Sequence, residues 1–295
     1  MKTLILGLGY VGTELAERLV RAGHSVVGVR RSAEGEQPLD ARIEVREGDI
    51  TKPDFWEELD GGFDWVVNCA SSSRGGMEAY RAVFEGGARL LADWLAKHPP
   101  NRFVFTSSTS VYAQTDGSEV SEGSPAEGAG ETGRILRAAE DAFQTSLTRP
   151  GQACVLRVAG IYGPDRGHLF LKYLRDEAQI TGSPDRWLNQ VHRDDVAGAI
   201  HHLLAADEVP AMVNVADDEP VGQGTFFQWL AARLGKPMPP VGETVKKRKR
   251  TATNKRVANR LLRDVVGYHL QYPTYREGYL AEMERLGLAI SRSGS

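Results

Sequence analysis

The sequence predicts an α/β protein: a doubly wound parallel sheet carrying a smaller C-terminal lobe. Short apolar runs alternate with helix-like segments through the first half, a glycine-rich turn follows the first run directly, and the alternation lapses after Gly163. KTLILG (2–7) is the first strand, ending in glycine. Residues 10–22 then place Val11, Leu15, Leu19 and Ala22 near helical spacing. HSVVGVR (24–30) and RIEVREGD (42–49) are the next strands, and WEEL (56–59) is long enough only for a helical turn. FDWVVNCAS (63–71) gives a fourth strand, residues 77–98 a long helix despite Gly86 and Gly87, and NRFVFTSS (101–108) a fifth strand. The Gly-, Ser- and acid-rich stretch from Gln114 to Gly130 reads as a surface loop, 131–147 as a helix and CVLRVAGIYG (154–163) as a sixth strand. Past Gly163 the expected elements are helices over 168–178, 195–206, 226–235, 256–265 and 274–287 and a short strand at 213–217, with ISRSGS (290–295) a frayed tail. The boundaries drawn are 1–163 for the first domain, with 190–217 returning to it, and 164–189 plus 218–295 for the lobe.

With 295 residues, 41% hydrophobic and 25% charged, the chain can bury a sizeable core without a disulfide or metal staple. Cys69 and Cys154 both lie in apolar runs, which fits buried thiols in a reducing compartment. No stretch reaches the roughly 18 to 20 apolar residues that span a bilayer, and no signal-peptide pattern is present, so a cytoplasmic protein with no membrane partner is expected. The net charge of −3 hides an asymmetry: residues 246–256 hold seven Lys or Arg and no acid, and the remaining 29 basic and 39 acidic residues leave −10. An acidic body with one short basic tract argues against a nucleic-acid partner. The tract reads as a local anion site or a solvated loop.

Gly7-Leu8-Gly9-Tyr10-Val11-Gly12 is a GxGxxG placed between the first strand and the first helix, the arrangement that binds a dinucleotide. Gly7 allows the tight turn, Gly9 the close approach of a pyrophosphate, and Gly12 close packing of helix on strand, while the helix N-terminus offers free N–H groups to the anion. At the end of the second strand an acid would select NAD through the ribose 2′-hydroxyl. The segment instead offers Arg30 and Arg31 and no acid before Glu34, which favours NADP over NAD.

Further landmarks follow the other strands: Gly48-Asp49-Ile50, Val66-Val67-Asn68-Cys69-Ala70, Ser107-Ser108-Thr109-Ser110-Val111-Tyr112 and Leu156-Arg157-Val158-Ala159-Gly160-Ile161-Tyr162-Gly163-Pro164, then the segments 191–197 and 213–217. With the glycine turn, they make the chain resemble the extended and atypical short-chain dehydrogenase/reductases, the NAD-dependent epimerase/dehydratase-like group. The resemblance implies a Rossmann-type domain with a small C-terminal substrate lobe. It also implies a cofactor lined by Tyr10, Val11, Asp49, Ile50, Cys69 and Ala70, and Ser108 at the position of the family's catalytic serine. Such enzymes carry Tyr-x-x-x-Lys on the helix after the long loop. Aligned through Ala138-Ala139-Glu140, this chain has Thr132 at the tyrosine position and Leu136 at the lysine position.

A threonine hydroxyl does not replace an activated phenol, and losing a positioned acid–base removes about 10²–10⁴ in rate. The candidates to take over are Glu131, Tyr112 and Tyr162, with Arg134 or Arg137 as a cation. Each has a structural reading as well: a first-turn helix acid, two pocket-shaping tyrosines and two solvent-facing arginines. His192, Asp194 and Asp195 resemble a structural turn of the family, so no metal is expected. The expected function is NADP-dependent hydride transfer at a carbinol or carbonyl carbon of a small molecule, with a sugar nucleotide implied by the resemblance, in a monomer or homodimer. The competing reading is a catalytically inactive NADP-binding sensor or scaffold.

Overall fold

The central apolar runs of the first half have no polar face, as strands covered by helices on both sides require. Leu4, Ile5, Leu6, Val66, Val67, Phe103, Val104 and Phe105 are all fully buried. The computed structural model describes residues 1–32, 39–72, 75–147, 149–242 and 253–291. Seven strands form one sheet: β1 (Lys2–Leu6), β2 (Ser25–Arg30), β3 (Ile43–Glu47), β4 (Trp65–Asn68), β5 (Arg102–Ser108), β6 (Ala153–Val158) and β7 (Met212–Val215). All pair in parallel, in the order β7-β6-β5-β4-β1-β2-β3. The winding reverses between β1 and β4. In such sheets the carboxyl ends of the strands at that reversal open the crevice that takes ligands.

Helices α1 (Tyr10–Arg21), α2 (Pro53–Glu57), α3 (76–97), α4 (Gly130–Ser146) and α6 (Arg193–Ala205) pack on the sheet core, while α5 (His168–Leu174), α7 (Gln223–Leu234) and α8 (Tyr275–Arg285) belong to the lobe. The long helix expected over 77–98 is present, with a π-helical segment at Ala82–Gly87. Gly87 sits where a Cβ would stand 3.2 Å from the Ile50 carbonyl oxygen, so the glycine lets α3 press against the loop leaving β3.

Two expectations change. The run 154–163 is two strands: Ala153–Val158 stays in the sheet, while Gly160–Tyr162 leaves it to pair with Gln190–His192. Residues 256–265 are not a regular α-helix. Arg256–Val257 pairs in parallel with Glu119–Val120, and Leu261–Val265 forms a π-helical turn. Helical spacing there is overridden by backbone partners that the long loop supplies. Residues 246–252 of the basic tract and 292–295 of the tail lie outside the described residues.

The apolar interior divides into two cores. One surrounds the sheet and takes in Val257 and Leu262. The other joins Tyr162, Phe170, Tyr173, Phe226, Phe227, Tyr279 and Met283. The stretch around 257–262 thus packs on the sheet core, although the boundary drawn at 218 assigned it to the lobe.

A buried polar network fastens α4 to the sheet. Glu140 of α4 and Arg157 of β6 are 0% and 2% exposed. Arg157 Nη2 donates to Glu140 Oε2 at 2.7 Å, and its Nε lies 3.2 Å from both carboxylate oxygens. Ser107 Oγ donates to the same carboxylate, Arg157 Nη1 donates to the Tyr112 hydroxyl at 3.1 Å, and that hydroxyl donates to Asn214 Oδ1 at 2.8 Å. Removing one member of a buried pair costs about 3–5 kcal/mol, while replacing both by apolar groups is often nearly neutral. Arg157→Met alone is therefore expected to lose about that much stability, and Glu140→Leu/Arg157→Met to recover most of it. Urea unfolding of the variants measures both, and a single variant as stable as the parent would show the pair to be inert.

Candidate cofactor cleft and active site

β1 ends at Leu6, and Gly7 turns the chain with a φ of 97°. A Cβ on Gly7 would stand 2.8 Å from the Ala70 backbone, so the glycine permits β1 and β4 to exit side by side. The N–H groups of Gly7 and Leu8 both donate to the Val29 carbonyl, at 2.9 and 3.0 Å. At Gly12 a Cβ would lie 2.0 Å from the Gly7 carbonyl oxygen, which only glycine avoids. Gly9 is different. It is the exposed N-cap of α1, and a Cβ there would meet nothing within 4 Å. The turn thus presents open ground before a helix N-terminus whose first N–H groups have no intrahelical acceptor.

The parallel register brings the other predicted cofactor residues to the same sheet edge: Leu6 lies beside Val29 and Asn68, and Arg30 beside Glu47. Arg30 ends β2, and its Nε is buried with no hydrogen-bond partner among the described residues. Arg31 is exposed beside it. Asp49 Oδ1 accepts from the Thr51 N–H and hydroxyl at 2.9 and 2.8 Å, closing the turn after β3, and Ile50 is buried. Asn68 Oδ1 accepts from the Ala70 N–H at 3.1 Å. Burial pushes the neighbouring Cys69 thiol up to about 12, so it stays neutral. The Tyr10 side chain turns away to the 163–166 turn, its hydroxyl donating to the Pro164 carbonyl at 3.0 Å. Val11 is buried behind the glycine turn.

Ser108 closes β5 on this edge, and its Oγ accepts from the Ser110 N–H at 3.2 Å, capping the 3₁₀ turn Thr109–Val111. Side chains alternate along a strand, so Ser107 reaches Glu140 while Ser108 is turned to the opposite side. Helix α4 meets the turn closely: a Cβ on Gly133 would be 2.9 Å from the Ser110 carbonyl oxygen. Thr132 is half-buried, its carbonyl accepting from the Tyr80 hydroxyl at 3.2 Å, and Leu136 is 2% exposed in the sheet core.

The model of the NAD-dependent epimerase/dehydratase family matches residues 3–216, more than two thirds of the chain and all seven sheet strands. The chain belongs to that family. Protein YeeZ of Escherichia coli (strain K12) is 29% identical over 284 residues, covering 92% of this chain and 96% of its own. The structure of human epimerase family protein SDR39U1 with NADPH superposes with a TM-score of 0.75 at 21% identity, over 96% of this chain and 99% of that one. The structure of MoeE5 in complex with UDP-glucose and NAD gives 0.78 at 22%, over 97% and 99%. At such identities the structural likeness speaks for the fold.

Among the described residues no hydrogen bond joins an acid–base candidate to the Ser108 hydroxyl. Tyr112 is fully buried, its hydroxyl occupied by Arg157 and Asn214. Tyr162 is 1% exposed in the lobe core, stacked on Tyr279 with centroids 4.2 Å apart, and burial raises its pKa. Glu131 is exposed and ion-paired with Arg81. Arg137 pairs with Asp141 at 2.5 Å, and Arg134 is exposed. His192 caps α6, its Nδ1 accepting from the Asp194 N–H at 3.2 Å, while Asp195 accepts from the Gln271 and Tyr272 N–H groups at 2.6 and 2.9 Å. These are structural contacts.

Two residues escaped the sequence reading. Asn189 brackets the chain at 255–257, and Lys255, seen only as part of a basic run, is buried. Nothing in a run of Lys and Arg distinguishes the member that turns inward.

The two inner glycines make opposite forecasts. Gly9→Val puts a side chain into open ground and is expected to cost no more than about 1 kcal/mol of stability while abolishing dinucleotide binding. Gly12→Ala drives a methyl into the Gly7 carbonyl and is expected to destabilise by about 1–3 kcal/mol or more. Thermal melts with and without NADPH compare them, and a Gly9→Val protein that NADPH still stabilises would reduce the glycine turn to a structural bend.

Proposed function

We propose that the protein binds NADP(H) in the glycine turn and transfers hydride at a carbonyl or carbinol carbon of a small molecule. The observation that carries this reading is the pairing of an open cradle at Gly9 with a buried Arg30 Nε at the end of β2 that has no hydrogen-bond partner among the described residues. The turn and helix α1 would hold the pyrophosphate, and Arg30 with Arg31 the 2′-phosphate. The bound nicotinamide supplies or accepts the hydride. Ser108 orients the reacting oxygen by hydrogen bonding. MoeE5 binds UDP-glucose, which favours a sugar nucleotide among possible substrates. Free Cys69 and Cys154 suit a reducing cytoplasm.

A second reading, cofactor binding without turnover, is favoured by one observation: Leu136, which the sequence reading sets at the lysine position, is packed into the core. The two part at Ser108. Under the first, Ser108→Ala lowers turnover by about one to three orders of magnitude and leaves NADPH affinity unchanged. NADPH oxidation measured across sugar nucleotides and simple carbonyl compounds tests it, and a panel with no turnover at all favours the second.

The choice of cofactor has its own test. Arg30→Ala/Arg31→Ala is expected to weaken NADPH by about ten- to a hundredfold and to leave NADH nearly unchanged. Calorimetric titration reads both affinities; a variant that keeps the parent's preference for NADPH would take the arginines out of the reading.

A further inference from the structure

Asp217 stands where the chain passes from the sheet to the lobe. Ala216 before it packs in the sheet core and Val221 after it in the lobe core. The backbone here also clasps the other crossings. The Asp217 N–H donates to the Gln190 carbonyl at 2.8 Å, and the Asp218 N–H donates to the carbonyl of Pro273, just ahead of α8, at 2.7 Å. Gln190 opens the strand Gln190–His192 that pairs with Gly160–Tyr162, and its Oε1 accepts from the Tyr279 hydroxyl of α8 at 2.8 Å. Passages between the two cores at 160–162, 190–192, 217–218 and 273 thus meet around one residue.

That residue is an acid with little to hold its charge. Asp217 is 2% exposed, and its Oδ1 accepts only a long bond, 3.3 Å, from the Glu219 N–H. Among the described residues its Oδ2 has no hydrogen-bond partner, and no Lys or Arg is ion-paired with it. The charged groups that face it are acids, Asp218 and Glu219 on its own loop and Glu277 on α8. The nearby cations are engaged by those acids, Arg263 by Asp218 and Arg276 by Glu219. The phenols of Tyr162, Tyr275 and Tyr279 lie within reach of its charge, and the Tyr162 and Tyr275 hydroxyls also have no hydrogen-bond partner among the described residues. His192 meets Tyr162 edge-on, with ring centroids 5.3 Å apart. Burial raises the Asp217 pKa well above the ordinary carboxylate range; the Glu219 N–H opposes this, and the three acids add to it. A protonated carboxyl brings a donor to a neighbourhood of phenol oxygens, whereas an ionised one brings a poorly solvated charge, which is costly.

We propose that Asp217 is a proton-operated catch between the sheet and the lobe: with its proton bound the lobe is firmly seated, and once the proton is lost the junction loosens and the lobe opens more often. The catch works through the chain's own groups and is independent of which cofactor or substrate occupies the cleft. A carboxyl whose folded pKa exceeds its unfolded one takes up a proton on folding. Its stabilising contribution is therefore fully present below the unfolded value, about 3.9, and is lost as pH rises through the folded value.

The test is amide hydrogen exchange on the full chain at about pH 5 and about pH 8, corrected for the intrinsic rate, with Asp217→Asn beside the parent. The asparagine keeps the shape of the side chain and does not ionise. In the parent, protection of α8 is expected to fall by about tenfold or more between the two pH values, and that of β4 and β5 to fall much less. In Asp217→Asn the fall in α8 is expected to vanish. The variant is also expected to melt about 3 °C or more above the parent at about pH 8 and together with it at about pH 4. Equal α8 protection in the parent at both pH values overturns the proposal, and so does a variant that loses protection as the parent does. A loss in the parent as large in β4 and β5 as in α8 overturns it too, since the proton would then act on the whole fold and not on the junction. If the variant does not fold, NMR titration of the Asp217 carboxyl carbon in the parent decides, and a midpoint in the ordinary carboxylate range overturns the catch.

Discussion

The ion pair between Arg157 and Glu140 sets where the carboxyl edge of the sheet stands. Its two charges are buried on different elements, β6 and α4, and neither is tolerable without the other. Sliding α4 by one helical turn, about 5.4 Å, would take the carboxylate out of reach, so the helix has one register against the sheet. That register brings Gly133 against the Ser110 carbonyl and fixes what its neighbours face. Residues four apart share a helix face. Leu136 and Glu140 therefore belong to one inward stripe that continues to Phe143, fully buried. The place of Leu136 in the core is thus dictated by the ion pair one turn on.

The same network reaches the lobe side of the cleft. Asn214, which accepts from Tyr112, donates through Nδ2 to the Ala258 carbonyl at 3.1 Å, and its own N–H donates to Glu122 at 2.7 Å. The segment carrying Lys255 is thus secured three residues downstream by the contacts that secure α4. A perturbation at Arg157 has a physical route to α4 and to the 254–258 segment through hydrogen bonds rather than through apolar packing, which adapts more readily to a lost contact.

The sheet was legible because its central strands are apolar on both faces and its strands alternate with helix-like segments, signals that depend on local sequence alone. The glycine turn was legible for the same reason: three glycines within six residues have separate steric duties, and the structure supplies a distinct neighbour, or none, for each. What escaped depends on partners distant in sequence. Arg256 and Val257 lie in a helix-like run yet pair with Glu119 and Val120, about 140 residues earlier, a choice that no window of a dozen residues contains. Tyr112 and Tyr162 stood at landmark positions beside the expected cleft. Whether such a hydroxyl meets a ligand or a neighbour depends on Arg157, Asn214 and Tyr279, which periodicity does not reveal.

Three cations at or near the carboxyl edge make the final contrast. Arg157 is as buried as Lys255, and its guanidinium is bonded to a carboxylate and a phenol. Among the described residues Lys255 has one hydroxyl, and the buried Arg30 Nε has no hydrogen-bond partner. The chain is capable of neutralising a buried charge here, and does so beneath the edge, where α4 closes over the sheet. Arg30 lies at the end of β2 and Lys255 beside the exits of β5 and β6, on opposite sides of the reversal between β1 and β4. Among the described residues, then, the hydrogen-bond partners of buried cationic side chains thin out from the ground beneath α4 to the ends of the strands.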